Sequence, residues 1–196
     1  MSVVVGVLAL QGGFSTHIAL LKKVGVTAKE VRKPKDLEGC TALIIPGGES
    51  TAILKQVRFI EMHDALNLFA AQKPVMGTCA GLILMSRHIV NDTMVPFGWL
   101  DVDIKRNAFG RQADSFHTLL EVKLGGSKLQ KIPALFIRAP TIERVGQDVE
   151  ILAQYQNQPV FVRQGKLLGL TFHPELTQDA SLHQFFIDIV KNRGLS

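Results

Sequence analysis

The sequence predicts an α/β fold: a three-layer, doubly wound mixed sheet, parallel at its centre, with antiparallel strands in the C-terminal half. Three observations carry this. Residues 3–10, 42–45 and 167–172 are nearly unbroken apolar runs, as strands buried on both faces of a parallel sheet read. Between the early runs lie stretches with helical stripes, so strands and helices alternate. From residue 100 to 163 the pattern changes to short strand-like pieces separated by turns, with no convincing helix. The 196 residues suit a single domain covering 1–196.

Taken in order, residues 3–10 form the first strand, and Gln11-Gly12-Gly13 breaks it. Phe14, Ile18, Leu21 and Val24 then share one helical face, and Gly25 stops that helix. Residues 26–31 and 42–45 are the next strands, the latter ending in Pro46-Gly47-Gly48. Glu49, Ser50 and Thr51 open a helix, and a second helical stretch covers about residues 61–71. A strand leads into Gly77-Thr78-Cys79-Ala80-Gly81, after which a helix starts. Residues 102–105, 120–122, 135–137, 149–153 and 160–162 are strand candidates, with turns at 156–158 and 164–165. After the buried run at 167–172 comes a last helix with Leu182, Phe185, Phe186, Ile189 and Val190 on one stripe. Asp179 or Ser181 caps it and Gly194 ends it. The chain has no repeat, linker or low-complexity segment.

Composition narrows the function. Hydrophobic content of 46% and charged content of 20% are those of an ordinary globular chain. No apolar run approaches the ~20 residues that span a bilayer, so no membrane association is expected. The N-terminus reads as a first core strand rather than a signal peptide. Two cysteines, Cys40 and Cys79, make no disulfide framework, and a reducing, cytoplasmic setting is the expectation. Cys40 reads as a quiet, half-buried residue. The net charge of +5 is spread thinly, which gives no nucleic-acid signature. No metal-ligand cluster and no Gly-Lys-Ser phosphate loop stand out, so neither a metal nor a cofactor is expected.

Three segments carry chemistry. Gly-X-Cys-X-Gly between a strand and a helix is the cysteine form of the nucleophile elbow. Gly77 and Gly81 relieve the crowding of that bend. Cys79 would sit at a helix N-terminus, where unpaired N–H groups favour negative charge. The plain alternative is a buried structural cysteine. Thr171-Phe-His-Pro-Glu175 follows the strand at 167–172, and in open α/β sheets active groups gather at such carboxyl ends. His173 can take the thiol proton and Glu175 can fix its tautomer. Singly, each reads as a core histidine or a surface carboxylate. In Pro46-Gly47-Gly48-Glu49-Ser50, consecutive glycines can present backbone N–H groups that complete an oxyanion hole with Ala80. A plain strand-to-helix turn is the rival reading.

At these segments the chain resembles the class I (triad) glutamine amidotransferases, which have a flavodoxin-like fold. More narrowly it is similar to the glutaminase subunits of pyridoxal 5′-phosphate synthases. The narrower likeness rests on the segments at 6–12, 43–51, 77–82, 106–112 with 114–116, and 136–140 with 172–176. The resemblance implies hydrolysis of L-glutamine to L-glutamate and ammonia, which passes to a separate synthase subunit for pyridoxal 5′-phosphate (vitamin B6) biosynthesis. It implies Cys79 as nucleophile, His173 as base and Glu175 as its orienting carboxylate. Gly47, Gly48, Glu49, Ser50, Ala80, Arg106, Ile137 and Arg138 are implied at the glutamine site. Gln11, Gly47 and Gly48 are implied as the oxyanion region that the partner gates. Physically, Arg106 or Arg138 can fork a substrate carboxylate, and Glu49 can accept from its ammonium or from the loop backbone. A structural salt bridge is the rival for each arginine.

The resting loop is expected to hold a carbonyl where an N–H is needed, with docking flipping that peptide. One departure is Thr16-His17, where the family usually carries Glu-His. His63, His88, His117 and His183 have ordinary surface or core readings. Rival functions are a γ-glutamyl hydrolase or peptidase-like enzyme, the glutaminase subunit of another synthase, and a silent regulatory binding module.

Overall fold

The apolar runs become the strands they predict in the computed structural model, which describes residues 2–106, 115–125 and 129–191. β1 (Val4–Leu8) pairs in parallel with β2 (Thr27–Val31), and α1 (Phe14–Lys23) crosses between them. Gly25 takes φ +73° beyond α1, a left-handed conformation that suits glycine alone. β3 (Ala42–Ile45) pairs in parallel with β1 on its other side. α2 (Ser50–Phe59) and α3 (His63–Gln72) lead to β4 (Val75–Thr78), which is parallel to β3. α4 (Ala80–Met85) starts immediately after Cys79.

The middle of the chain forms strands only, among the described residues. They are β5 (Ser86–Ile89), β6 (Leu100–Lys105), β7 (Ser115–Lys123), β8 (Leu129–Ile137) and β9 (Thr141–Val145). β10 (Glu150–Tyr155), β11 (Gln158–Gln164) and β12 (Leu167–Leu170) form an antiparallel meander, and β12 pairs in parallel with β4. The main sheet has seven strands in the order β10-β11-β12-β4-β3-β1-β2. Its antiparallel pairs are β10–β11 and β11–β12, so β11 alone runs against the other strands. β5, β6 and β9 make a small separate sheet, and β7 and β8 a two-stranded ribbon. β7 is buried on one face only, which is why it lies on the main sheet instead of within it.

Alternation along the strands builds two cores. Ala42 and Ile44 face the layer of α1, the β7–β8 ribbon and the final helix α5 (Ser181–Lys191). Leu43 and Ile45 face α2, α3, α4 and the small sheet. The predicted stripe of α5 is buried throughout, and burying each such side chain contributes about 1.5–3 kcal/mol. The Asp179 carboxylate accepts the Ser181 N–H at 2.7 Å. Gly194, the predicted stop, lies outside the described residues. Turn predictions at 156–158 and 164–165 hold: Gln156, Asn157 and Gly165 all take positive φ. Cys40 is fully buried, not half-buried, with its Sγ 3.4 Å from the Asp36 carbonyl, and burial pushes its thiol pKa up.

The bend after β4 is as crowded as its glycines predict. A Cβ on Gly81 would sit 2.0 Å from the Ile45 carbonyl oxygen, and one on Gly77 2.6 Å from the Gly81 backbone. Two backbones cannot part without separating β3 from α4. Gly81→Ala is therefore expected to cost about 3 kcal/mol or more, read as a lower denaturant midpoint.

Candidate active site

β4 and β12 are neighbours, with Thr78 opposite Leu170, so the loops leaving these two strands meet at one edge of the sheet. Cys79 takes φ +48° and ψ −102°. Few residues other than glycine adopt a positive φ, and such strain concentrates at functional positions. It is held by Cys79 N–H donating to the Leu170 carbonyl at 2.8 Å and Ile83 N–H donating to the Cys79 carbonyl at 3.1 Å. Past β12, His173 N–H donates to the Leu135 carbonyl of β8 at 2.8 Å. Glu175 sits in a short 3-10 turn, Pro174–Leu176, and is buried.

These placements bring Cys79, His173 and Glu175 together. His173 Nδ1–H donates to Glu175 Oε1 at 2.8 Å, which fixes the tautomer and turns Nε2 towards Cys79. Burial opposes charge on the imidazole. Hydrogen bonds to Cys79 and Glu175 outweigh it, and the ring's pKa is held up to about 10. Burial likewise opposes charge on Glu175, while His17 and the His173 partner hold its carboxyl below the usual range. His17 is itself kept neutral by burial, so the positive charge facing Glu175 at neutral pH belongs to His173.

The glycine loop lies directly on this group. A Cβ on Gly47 would stand 2.4 Å from His173 Cε1 and 3.5 Å from Cys79 Cβ. The Gly47 carbonyl accepts the Gly13 N–H at 3.1 Å. In a trans peptide the Gly48 N–H then points the other way, and Gly48 lines the cleft with Cys79. The Gly47 carbonyl thus rests on Gly13, the residue that caps α1. Gly12, at φ +90°, lets the two loops touch, since a Cβ there would meet the Gly47 oxygen. Gln11 Oε1 accepts the Glu49 N–H at 2.7 Å. The cleft holds about 350 Å³, and Ser50, Arg106, Ile137 and Arg138 also line it. A larger depression of about 1010 Å³ lies at the other end of the strands, near Lys73 and Lys166. Among the described residues no Cys, His, Asp or Glu lines it, so its size does not make it the reactive site.

The model of the SNO glutamine amidotransferase family matches residues 7–192. The chain belongs to this family. A relative from Thermus thermophilus, pyridoxal 5′-phosphate synthase subunit PdxT, is 49% identical over 189 residues, covering 95% of this chain and 97% of the relative. The subunit of that name from Shouchella clausii is 45% identical over 192 residues, covering 97% of each. A crystal structure of a glutamine amidotransferase superposes with a TM-score of 0.89 at 46% identity, covering 95% of this chain and 98% of that one.

In this SNO-family chain the two arginines of the cleft differ. Arg106 is occupied: Nη1–H donates to Asp92 Oδ2 at 2.9 Å, and Nη2–H to Glu49 Oε1 at 3.2 Å. Glu49 caps α2, accepting from the N–H groups of Thr51 at 3.0 Å and Ala52 at 2.7 Å. Burial opposes its charge, but those N–H groups hold its carboxyl pKa down. Glu49 is thus a carboxylate fixed at the mouth of the cleft, and Arg106 braces it. Arg138 takes φ +42° directly after β8, which turns the chain at the cleft. Of the segment at 106–112, residues 107–112 lie outside the described residues, as does Asp114. Thr16 Oγ1–H donates to the Gly13 carbonyl at 3.0 Å, staying within its own helix. The sequence reading missed Asp92 and the buried pair His17 and His183. Among the described residues no group of His, Cys, Asp or Glu is arranged to hold a metal, and no helix is long and apolar enough to cross a membrane.

Burial of these histidines sets a pH dependence. Burial, with His17 alongside, pushes His183 down to about 3, and burial lowers His17. Unfolding frees both rings to take protons near pH 6.5, so stability present above that value is lost as pH falls below it. Glu175 acts in the same direction. His173 runs the other way: its contribution is full below 6.5 and lost as pH rises through about 10. Urea midpoints are expected to peak near neutral pH and to fall on both sides, more gently on the acid side in His183→Phe.

Proposed function

We propose that the chain is the glutaminase subunit of a pyridoxal 5′-phosphate synthase, working in the cytoplasm. It hydrolyses L-glutamine to L-glutamate and ammonia and passes the ammonia to a separate synthase subunit. The supporting observation is the Cys79–His173–Glu175 group beneath the Gly47–Gly48 loop, in a chain whose near-full-length relatives carry that subunit name.

The Cys79 sulfur attacks the side-chain amide carbon of glutamine. The oxyanion forms against backbone N–H groups of Gly48 and Ala80. The C–N bond breaks as His173 gives its proton to the departing ammonia, leaving a thioester. Water attacks the thioester, His173 takes its proton, and glutamate leaves with Cys79 regenerated. Glu49 meets the substrate ammonium, and Arg138 its carboxylate, since the Arg106 fork already holds Asp92 and Glu49. Ser50 and Ile137 complete the walls. Gln11, Gly47 and Gly48 are the region on which the synthase subunit acts, by keeping the Gly47 carbonyl on Gly13.

The test is ammonia and glutamate release from L-glutamine, with and without a pyridoxal 5′-phosphate synthase subunit. Hydrolysis stimulated by the partner is expected. No release in either condition from folded protein overturns the reading in favour of a regulatory module or another amide substrate.

A further inference from the structure

The Cys79–His173–Glu175 group uses one oxygen of Glu175. The other, Oε2, is buried, and no conventional hydrogen bond among the described residues satisfies it. His17 Nε2 of α1 stands 3.3 Å from it, and also 3.3 Å from Thr78 Oγ1 of β4. The opposite ring nitrogen, His17 Nδ1, is 2.9 Å from His183 Nε2 of α5. Both histidines have no exposed surface.

The proton positions follow from the partners. A carboxylate oxygen only accepts, so His17 must carry its proton on Nε2, shared between Glu175 Oε2 and the Thr78 hydroxyl. A neutral His17 then has a bare Nδ1, which accepts from His183 Nε2–H. His183 Nδ1 is left a buried acceptor with no partner, as observed. The donors therefore point one way, from His183 to His17 and from His17 towards Thr78 and the Glu175 Oε2 at 3.3 Å, while His173 donates to Glu175 Oε1. Burying two imidazoles with an orphaned nitrogen costs stability that apolar side chains would not. The arrangement makes sense for the carboxylate it faces.

We infer that His17 is a positioning residue of the glutaminase site, its Nε2–H holding the second oxygen of Glu175 so that the first stays on His173 Nδ1. His183 fixes the His17 tautomer. This rests on the glutaminase reading above. The groups facing His17 are Thr78 from β4, Glu175 with His173 behind it from the turn after β12, and His183 from α5. Without the His17 donor, Glu175 is free to turn or to take a proton, and the imidazolium of His173 loses part of its support.

Three variants separate this from a packing role. His17→Leu removes both contacts. His17→Gln places an amide N–H near the Nε2 position. His17→Asn reaches only the Nδ1 position, towards His183. In the complex with the synthase subunit, His17→Leu and His17→Asn are expected to lose about 10- to 100-fold in kcat/KM for glutamine, mostly in kcat. Their alkaline limb should move to lower pH by about one unit. His17→Gln should keep the wild-type limb and stay within a few-fold of wild-type rate. Unchanged limbs in His17→Leu and His17→Asn, or the same loss in His17→Gln, overturn the inference. If His17→Leu does not fold, the Gln and Asn variants decide alone. Iodoacetamide alkylation of Cys79 in the isolated chain, read by peptide mass spectrometry at pH 7, needs no turnover. If the wild-type complex releases no ammonia, the glutaminase reading falls. The coupling is still decided: alkylation about tenfold slower in Leu and Asn but not in Gln supports it, and equal rates refute it.

Discussion

Cys79→Ala is expected to remove glutamine hydrolysis by at least about 10⁴-fold while leaving the fold in place. The two parts of that result have different causes. Alanine carries the same Cβ as cysteine, so the strain of φ +48° at the elbow is unchanged. The hydrogen bonds that hold the bend, from Cys79 N–H to Leu170 and from Ile83 N–H to Cys79, are backbone bonds and persist. Only the sulfur is lost, and among the described residues no second cysteine lines the cleft. The assay is ammonia release by the complex, with circular dichroism and thermal melting as the folding control. Activity within tenfold of wild type would show that glutamine is hydrolysed by another route.

The second large effect is expected from Gly47→Ala, and it falls on the chemistry more than on the fold. The new Cβ would lie 2.4 Å from His173 Cε1 and 2.9 Å from Nδ1. Both are side-chain atoms, so the ring can move where a backbone could not. It moves away from its 2.8 Å bond to Glu175 or away from Cys79. A displacement of about 1 Å in such a group costs on the order of 100-fold in kcat. Stability should fall by only about 1–3 kcal/mol. Gly81→Ala is the contrasting case, because its Cβ meets the Ile45 backbone at 2.0 Å and the fold bears the cost. Wild-type kcat in Gly47→Ala would mean that the imidazole is not confined by the loop.

The contrast between these glycines bears on how much a sequence makes legible. The parallel centre was readable because strands buried on both faces are apolar at nearly every position, as in Val4–Leu8 and Ala42–Ile45. Cys79, His173 and Glu175 were readable because an elbow and a His-X-Glu step each follow such a strand. β5 and β9 were not: Ser-Arg-His-Ile and Thr-Ile-Glu-Arg-Val are short and charged, and only pairing with β6 reveals them. The occupied fork of Arg106 was also hidden, because Asp92 lies in a loop that no local pattern ties to it. His17 and His183 are 166 residues apart, and nothing local says that α1 and α5 bring their rings within 2.9 Å. The resting position of the Gly47 carbonyl depends on the first turn of α1, a contact between loops rather than a property of either.

The proposed mechanism turns on attack by Cys79 at the side-chain amide of glutamine. Covalent labelling with a chloroketone analogue of glutamine, followed by peptide mass spectrometry on the complex, probes that step itself. A single adduct on Cys79 is expected, slowed by added L-glutamine and absent from buried Cys40. Labelling that L-glutamine does not slow, or an adduct on another residue in its place, would contradict the mechanism.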